Sequence, residues 1–488
     1  MGITPDAISA AIAIQGENGT AFFTADANSA NSVLSIGAVT GASTGANVTT
    51  LTLNGSNAGA NRITGIIGNG GTGKLAIVKN GGGAWTLSGN NTFTGGLTLD
   101  EGILRVTTSA GALGTGTLSL GGGELQLANA TGLNFGRATT LTGNAQITSD
   151  VPTPGSAGVS HNLSTLSIGS HTLTVAGGSN VTSGNAGLTF NGATTLTGGA
   201  IFNVTNPAGG GTTVLTFSNA IGGGANTLTK TGDGTVIFSG AANTYTGLTT
   251  VSGGELQLGK AVATNAIAGN VTVGGSGSTL KLNLRDQIVD TATVALTAGG
   301  TFNLNGLAET VAGLTLTGGV GSPATLDLAG TSGSTTGHLK LTGATPSLTF
   351  GANTQLIGAG HFLSHRGQSL HLQLQRRSGQ RWDDPSGQRH GPHHHHLQHH
   401  RRDGRRNLFG GRKRQQCGDG AGRKSEPYWQ YQSWIDDPGV FQQQRWSAND
   451  SHDHRRQHGD WPVRRDHLSR TVSQRCQSRA VFASRSQE

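Results

Sequence analysis

The chain has 488 residues, of which 82 are glycine, 12% are charged and 5% are aromatic, so it is long enough for a large core yet short of the usual core-building side chains. Its formal charge of +8 is unevenly held: ten Lys and Arg stand against thirteen Asp and Glu up to Gly360, and 23 against twelve from His361 onward. The charge therefore gives no reason to assign nucleic-acid or anionic-membrane binding to the first part, which also contains no cysteine, whereas Cys417, Cys476, fourteen of the seventeen His and five of the six Trp lie beyond it.

The opening residues, 1–27, carry no clear pattern. The apolar run AISAAIAI at 7–14 is brief and follows Asp6 rather than a basic residue, so it is not read as an export signal. The expectation is a cytoplasmic chain or a fragment lacking its true start. No apolar run reaches the roughly 18 residues a membrane-spanning helix needs.

Next comes GNGGTGKL at 68–75, which has the G-x-x-x-x-G-K spacing of a phosphate-binding loop. Such a loop needs Ser or Thr after the lysine to hold magnesium, and a helix to follow. Here Leu75 takes that position, and the β-branched LAIVK at 75–79 runs straight into Gly81, Gly82 and Gly83. The stretch is expected to be a turn before a strand.

Short alternating runs follow throughout the body: TTLTL at 49–53, GTLSL at 116–120, TLTV at 172–175 and LTLT at 314–317. Each puts Leu or Val on one face and Thr or Ser on the other, between Gly and Asn turns, which is strand periodicity. No long amphipathic helix is legible from Gly16 to Gly360, which leaves an all-β repeat architecture.

One longer unit occurs twice, as KNGGGAWTLSGNNTFTGGLTLDEGILRV at 79–106 and KTGDGTVIFSGAANTYTGLTTVSGGELQL at 230–258. With one inserted residue, Lys79 aligns with Lys230, Ser88 and Gly89 with Ser239 and Gly240, TFTG at 92–95 with TYTG at 244–247, and Leu104 with Leu256. Extended backwards without gaps, the alignment sets Ala225 opposite Lys74, so the lysine of the apparent phosphate loop is dispensable within the repeat.

These units resemble the passenger-associated strand repeat of autotransporter proteins, through Gly232, Gly234, Ser239, Gly240, Asn243, Thr244, Tyr245, Thr246, Gly247, Val251, Gly254 and Leu256, and a similar set from Ser88 to Leu104. The resemblance implies a right-handed parallel β-helix, or β-solenoid, exported to the bacterial cell surface. It implies a structural or adhesive passenger with no catalytic site, no cofactor and no metal. The repeat is nearly silent on the partner; the expectation is a monomeric rod with an unknown host-surface, glycan or neighbouring-cell ligand. A body without cysteine agrees with a surface protein that folds without disulfides. At roughly 20 to 25 residues per coil the body would make about 15 coils and span about 70 Å. The expected division is an undefined segment at 1–27, β-helical repeats at 28–360, and a disordered basic tail at 361–488.

Parallel β-helices are also used by polysaccharide lyases and hydrolases, which is the rival reading. Their chemistry needs clustered carboxylates. The candidates are Arg285, Asp286 and Asp290, with Asp100 and Glu101 as a second pair. On one strand face Asp286 and Asp290 would lie about 13 Å apart, and exposed charges that keep a Gly- and Thr-rich surface soluble explain them better.

In the tail, His393 to His396 with His399 and His400 form a metal-like tract, and Arg412 to Arg414 a basic patch, but no Cys or His framework supports a site. Codon arithmetic suggests another origin. Adjacent His codons read one base downstream become Thr or Ile, adjacent Gln codons become Asn or Ser, and Arg pairs become Gly, Ala, Val or Asp. The tail is thus expected to be the same repeat gene in a shifted frame.

Overall fold

The computed structural model describes residues 6–26, 33–330, 337–342, 347–357, 361–364 and 371–374. All belong to the first of two units, Met1–Arg389, the second being His390–Glu488. The expected disorder and frameshift of the tail, its histidine tract, its basic patch and both cysteines lie outside the described residues, which reach only the first few positions after Gly360.

The described chain is a parallel β-solenoid. Every pairing between its named strands is parallel, and no helix interrupts them among the described residues. One sixteen-stranded sheet runs from Asp6–Ile8 to His371–Leu374. A nine-stranded sheet flanks its early part, from Thr20–Thr24 to Ile221–Gly222, and a second nine-stranded sheet flanks its later part, from Ser156–Leu163 to Thr354–Ile357. Three-stranded sheets complete the two ends. Pairing thus begins before residue 28, since Asp6–Ile8, Ile12–Ile14 and Thr20–Thr24 each lie in register on the next coil, and it continues past Gly360.

The alternation seen in the sequence is what builds the core. In the strand Lys74–Lys79, Leu75, Ile77 and Lys79 turn inward while Ala76 and Val78 stay half-exposed. Because coils pair in register, inward positions stack in columns: Trp85, Leu104, Leu125 and Ile147 follow one another up the long sheet. Each buried Leu, Ile or Phe contributes about 1.5–3 kcal/mol. A phenylalanine column, Phe190, Phe217 and Phe238, has ring centroids 5.8 and 5.9 Å apart, with Phe202 edge-on to Phe217 at 4.9 Å. Coil length is less regular than the sequence suggested. About twenty residues separate Trp85 from Leu104 and Leu104 from Leu125, but nearly thirty separate Ile147 from Val175 and Val175 from Val204. The longer coils carry a third full strand, as in Val181–Phe190.

In the shorter coils one side has no strand. There the buried side chains of Phe93, Leu113 and Phe135 fill the wall of the first half, and Tyr245, Ile267 and Ile288 that of the second. These strandless corners leave backbone amides and carbonyls without a ladder partner. Several buried polar side chains satisfy them.

Candidate functional site

Several buried polar residues, some of them within strands, direct their polar atoms to the corners. Lys79 takes an inward place in its ladder between Leu53 and Leu99, and Lys230 does the same between Phe202 and Val251. Both lysines are fully buried. Each aliphatic stem continues the apolar column while the ammonium reaches the corner. Lys79 Nζ donates to the carbonyls of Asn80 at 3.1 Å, Gly81 at 2.6 Å and Glu101 at 2.9 Å. Lys230 Nζ donates to those of Thr231, Gly232 and Gly253 at 2.9, 2.8 and 2.9 Å. Three N–H donors meet three carbonyls in each case, a full match for an ammonium. Lys260 makes a related contact, donating to the carbonyls of Asn219, Ser239 and Ala241. Burial pushes all three lysines down to about 8.

An asparagine bridges the strandless side of each repeat. Asn91 Oδ1 accepts from the Ile67 amide at 2.8 Å and its Nδ2 donates to the Ala112 carbonyl at 2.7 Å. Asn243 does the same with Ile221 and Ala266, at the same two distances. The side-chain amide so replaces a missing peptide in the ladder, joining the coil before to the coil after.

Further along, Glu309 serves amides rather than carbonyls. Its carboxylate accepts from the backbone of Gln287 at 2.9 Å, Ile288 at 3.2 Å and Thr310 at 3.2 Å, while burial, reinforced by Asp286, raises it to about 8. Gln287 in turn accepts the Lys260 amide and donates to the Ala261 and Arg285 carbonyls.

A fourth cluster lies where the second nine-stranded sheet begins. Asp150 accepts from the Val151 amide at 2.8 Å, from both the backbone and the side chain of Asn180, and from Arg105 at 3.5 Å. His161 is buried beside it. Its Nδ1 accepts the Leu133 amide at 3.1 Å, which puts the ring proton on Nε2, facing the Asp150 carbonyl at 3.4 Å, and burial holds the imidazole below the ordinary histidine range. These side chains hold backbone in place; their polar atoms are engaged within the fold.

The residues singled out in the sequence occupy three kinds of place. In 68–75, Gly68 ends a strand and Lys74 begins the next with its side chain in solvent, while Gly70, at φ +73°, lies so close to the coil below that an added Cβ would sit 1.9 Å from the Gly41 carbonyl oxygen. The stretch is a turn before a strand. Its counterpart in the second repeat is aligned differently than a gapless extension suggests: Ile221 holds the place of Ile67, so the second loop is shorter. Asp100 and Glu101 are exposed carboxylates, and Glu101 serves the lysine through its carbonyl. Asp286 and Asp290 do not share a strand face. Residues 283–286 form a bend in which Asp286 adopts φ +52°, and the buried residue of that corner is Gln287. The need to turn the coil there overrides the alternation read from LRDQIVD. Among the described residues no group of three or more His, Cys, Asp or Glu is placed to hold a metal ion.

Fold and corners together define a class: a parallel β-solenoid whose strandless corners are closed by a recurring lysine and asparagine unit. The family model described as the passenger-associated-transport-repeat matches at residues 77–106 and 228–258, the two segments that carry those units. The Adhesin BmaC autotransporter of Brucella suis biovar 1 (strain 1330) is 47% identical over 57 residues, which is 12% of this chain and 2% of that protein. No solved structure matches. The chain carries two passenger-associated transport repeats, and its match covers a small fraction of the length of the curated relative.

Proposed function

We propose that this chain is a stretch of a secreted, surface-exposed passenger that works as a non-catalytic scaffold for adhesion. The observation that carries the reading is the use made of the buried ionisable groups. Lys79, Lys230, Lys260, Glu309 and Asp150 each bind, besides local groups, a backbone group of a neighbouring coil, so their chemistry is spent on holding coils together. The two passenger repeats and the relation to a protein named an adhesin support the same reading. Outward positions supply a surface of Thr and Ser hydroxyls, as in Thr98, Ser119, Thr140, Ser167 and Thr195, which stand in one row up the early flanking sheet. The partner class is a host surface, a glycan or a neighbouring cell.

Beads coated with the full chain should bind cultured cells or immobilised glycans above the level of beads coated with an unrelated β-rich protein. Cleavage of an acidic polysaccharide by the purified chain, abolished by Asp286→Ala or Asp290→Ala, would overturn the scaffold in favour of an enzyme.

A further inference from the structure

We infer that the first lysine corner is a site of spontaneous covalent modification: Asn80 is deamidated through attack by the Gly81 backbone nitrogen, with Lys79 as the activating group. Three features of the corner converge on this. Asn80 is exposed, so ammonia can leave and water can enter. The Gly81 amide donates to Asn80 Oδ1 at 2.8 Å, which holds the nucleophilic nitrogen against the carboxamide whose carbon it must reach. The Lys79 ammonium lies 3.1 Å from the Asn80 carbonyl oxygen, which belongs to the same peptide group as the attacking nitrogen. Negative charge that develops on that peptide when its N–H is lost is shared with this oxygen, where the ammonium stabilises it.

The step balances without an external oxidant or reductant. The Gly81 nitrogen gives up its proton and bonds to Asn80 Cγ. The Cγ–Nδ2 bond breaks, and the leaving nitrogen departs as ammonia, leaving a succinimide. Water then opens the ring to aspartate or isoaspartate. The isoaspartate product adds a backbone atom to a turn that already needs φ +71° at Gly81, so it displaces the carbonyls that hold Lys79.

Three other Asn–Gly pairs, at Asn18, Asn69 and Asn191, lack this arrangement. The Asn18 and Asn69 Oδ1 atoms accept amides of neighbouring segments, from Val48 in one case and from Leu75 and Thr94 in the other. Asn191 is exposed, but the Gly192 amide is already donated to the Ser164 carbonyl at 2.9 Å. The second repeat keeps the cage and loses the reactant, because Thr231 stands where Asn80 does.

The test is peptide mapping by mass spectrometry of the intact chain during neutral incubation, folded and in urea. In the folded chain Asn80 should convert several-fold faster than Asn191, and faster than Asn80 itself in urea. Thr231→Asn should create a second fast site in the other repeat. With burial placing Lys79 at about 8 and Glu101 as its nearby carboxylate, the conversion should stop rising with hydroxide above that pH. Lys79→Met, checked for folding by circular dichroism, should slow Asn80 to its rate in urea. Conversion of Asn80 at or below the rate of Asn191, or an increase on unfolding, would overturn the assignment, as would an inert Asn at position 231 in a folded variant.

Discussion

The two repeats have the same local structure but do not sit on the same sides of the solenoid. Lys79 lies in the early flanking sheet and the strand after it, Ala84–Leu87, in the long sheet; Lys230 lies in the long sheet and the strand after it, Thr235–Gly240, in the later flanking sheet. The unit has turned by one side between its occurrences. Its internal bonds survive that turn: Lys79 and Lys230 reach equivalent carbonyls, and Asn91 and Asn243 bridge equivalent coils. The repeat is therefore a corner-closing device that works on two different sides of the solenoid. Its constant part is the chemistry that replaces a missing strand, and the sheets on either side accept it wherever their columns are apolar.

If the bridging asparagine closes the corner, removing it should destabilise the fold more than any other single change within the repeat's polar framework. Asn91→Ala deletes two hydrogen bonds and leaves the Ile67 amide and Ala112 carbonyl without their partner, at a cost of about 2–5 kcal/mol. Asn243→Ala should cost the same within about 1 kcal/mol, because its bonds have the same lengths. Urea unfolding of the two variants measures both values. A large difference between them would mean that the side of the solenoid matters and the unit is not autonomous.

Much of this was legible in the sequence, and the illegible part has a definite cause. Counting by twos from Leu75 and Ile77 leads to Lys79 as a third inward position, but a lysine there is not recognisable as buried from the sequence alone, since the three carbonyls that stabilise the ammonium come from Asn80, Gly81 and a residue one coil later. Glu309 and Gln287 were invisible for the same reason: most of their partners are amides and carbonyls more than twenty residues away. Asp286 was misplaced because local alternation cannot reveal a bend imposed by coil closure. The asparagines were visible as motif letters without their role, because nothing in the sequence shows that the strand on that side is missing.

A smaller effect sharpens the comparison inside the corner itself. Phe93 in the first repeat becomes Tyr245 in the second, and four residues on, the buried Leu97 becomes the buried Thr249. The Tyr245 hydroxyl bonds the Thr249 hydroxyl at 2.8 Å, so the two substitutions form one compensated exchange. Phe93→Tyr alone buries a hydroxyl against Leu97 and should cost about 1–3 kcal/mol. Adding Leu97→Thr should recover part of that loss, giving a favourable coupling of about 1 kcal/mol in a double-mutant cycle. Zero coupling would show that the first corner does not pack like the second.

The last comparison is the pH dependence that the buried lysines impose on both repeats alike. Lys79, Lys230 and Lys260 are lowered from 10.5 to about 8 by burial, with Glu101 and Asp233 pulling the first two weakly upward. Between those two values the unfolded chain holds protons that the native chain has released. Unfolding there takes up protons, so stability rises as pH increases through the window. Tyr245 limits the range from above: burial raises its phenol, and once the unfolded tyrosine ionises near pH 10 the native state loses stability as pH climbs further. Glu309, raised to about 8 by burial, acts in the opposite sense up to that pH, so the two repeats are best compared between about pH 8.5 and about pH 9.5, where thermal midpoints should increase, and less in Lys79→Met or Lys230→Met than in the parent chain. A midpoint that falls across this interval would mean that three carbonyl acceptors outweigh burial and hold the ammonium charged, and the fall should then shrink by the same amount whichever repeat is altered.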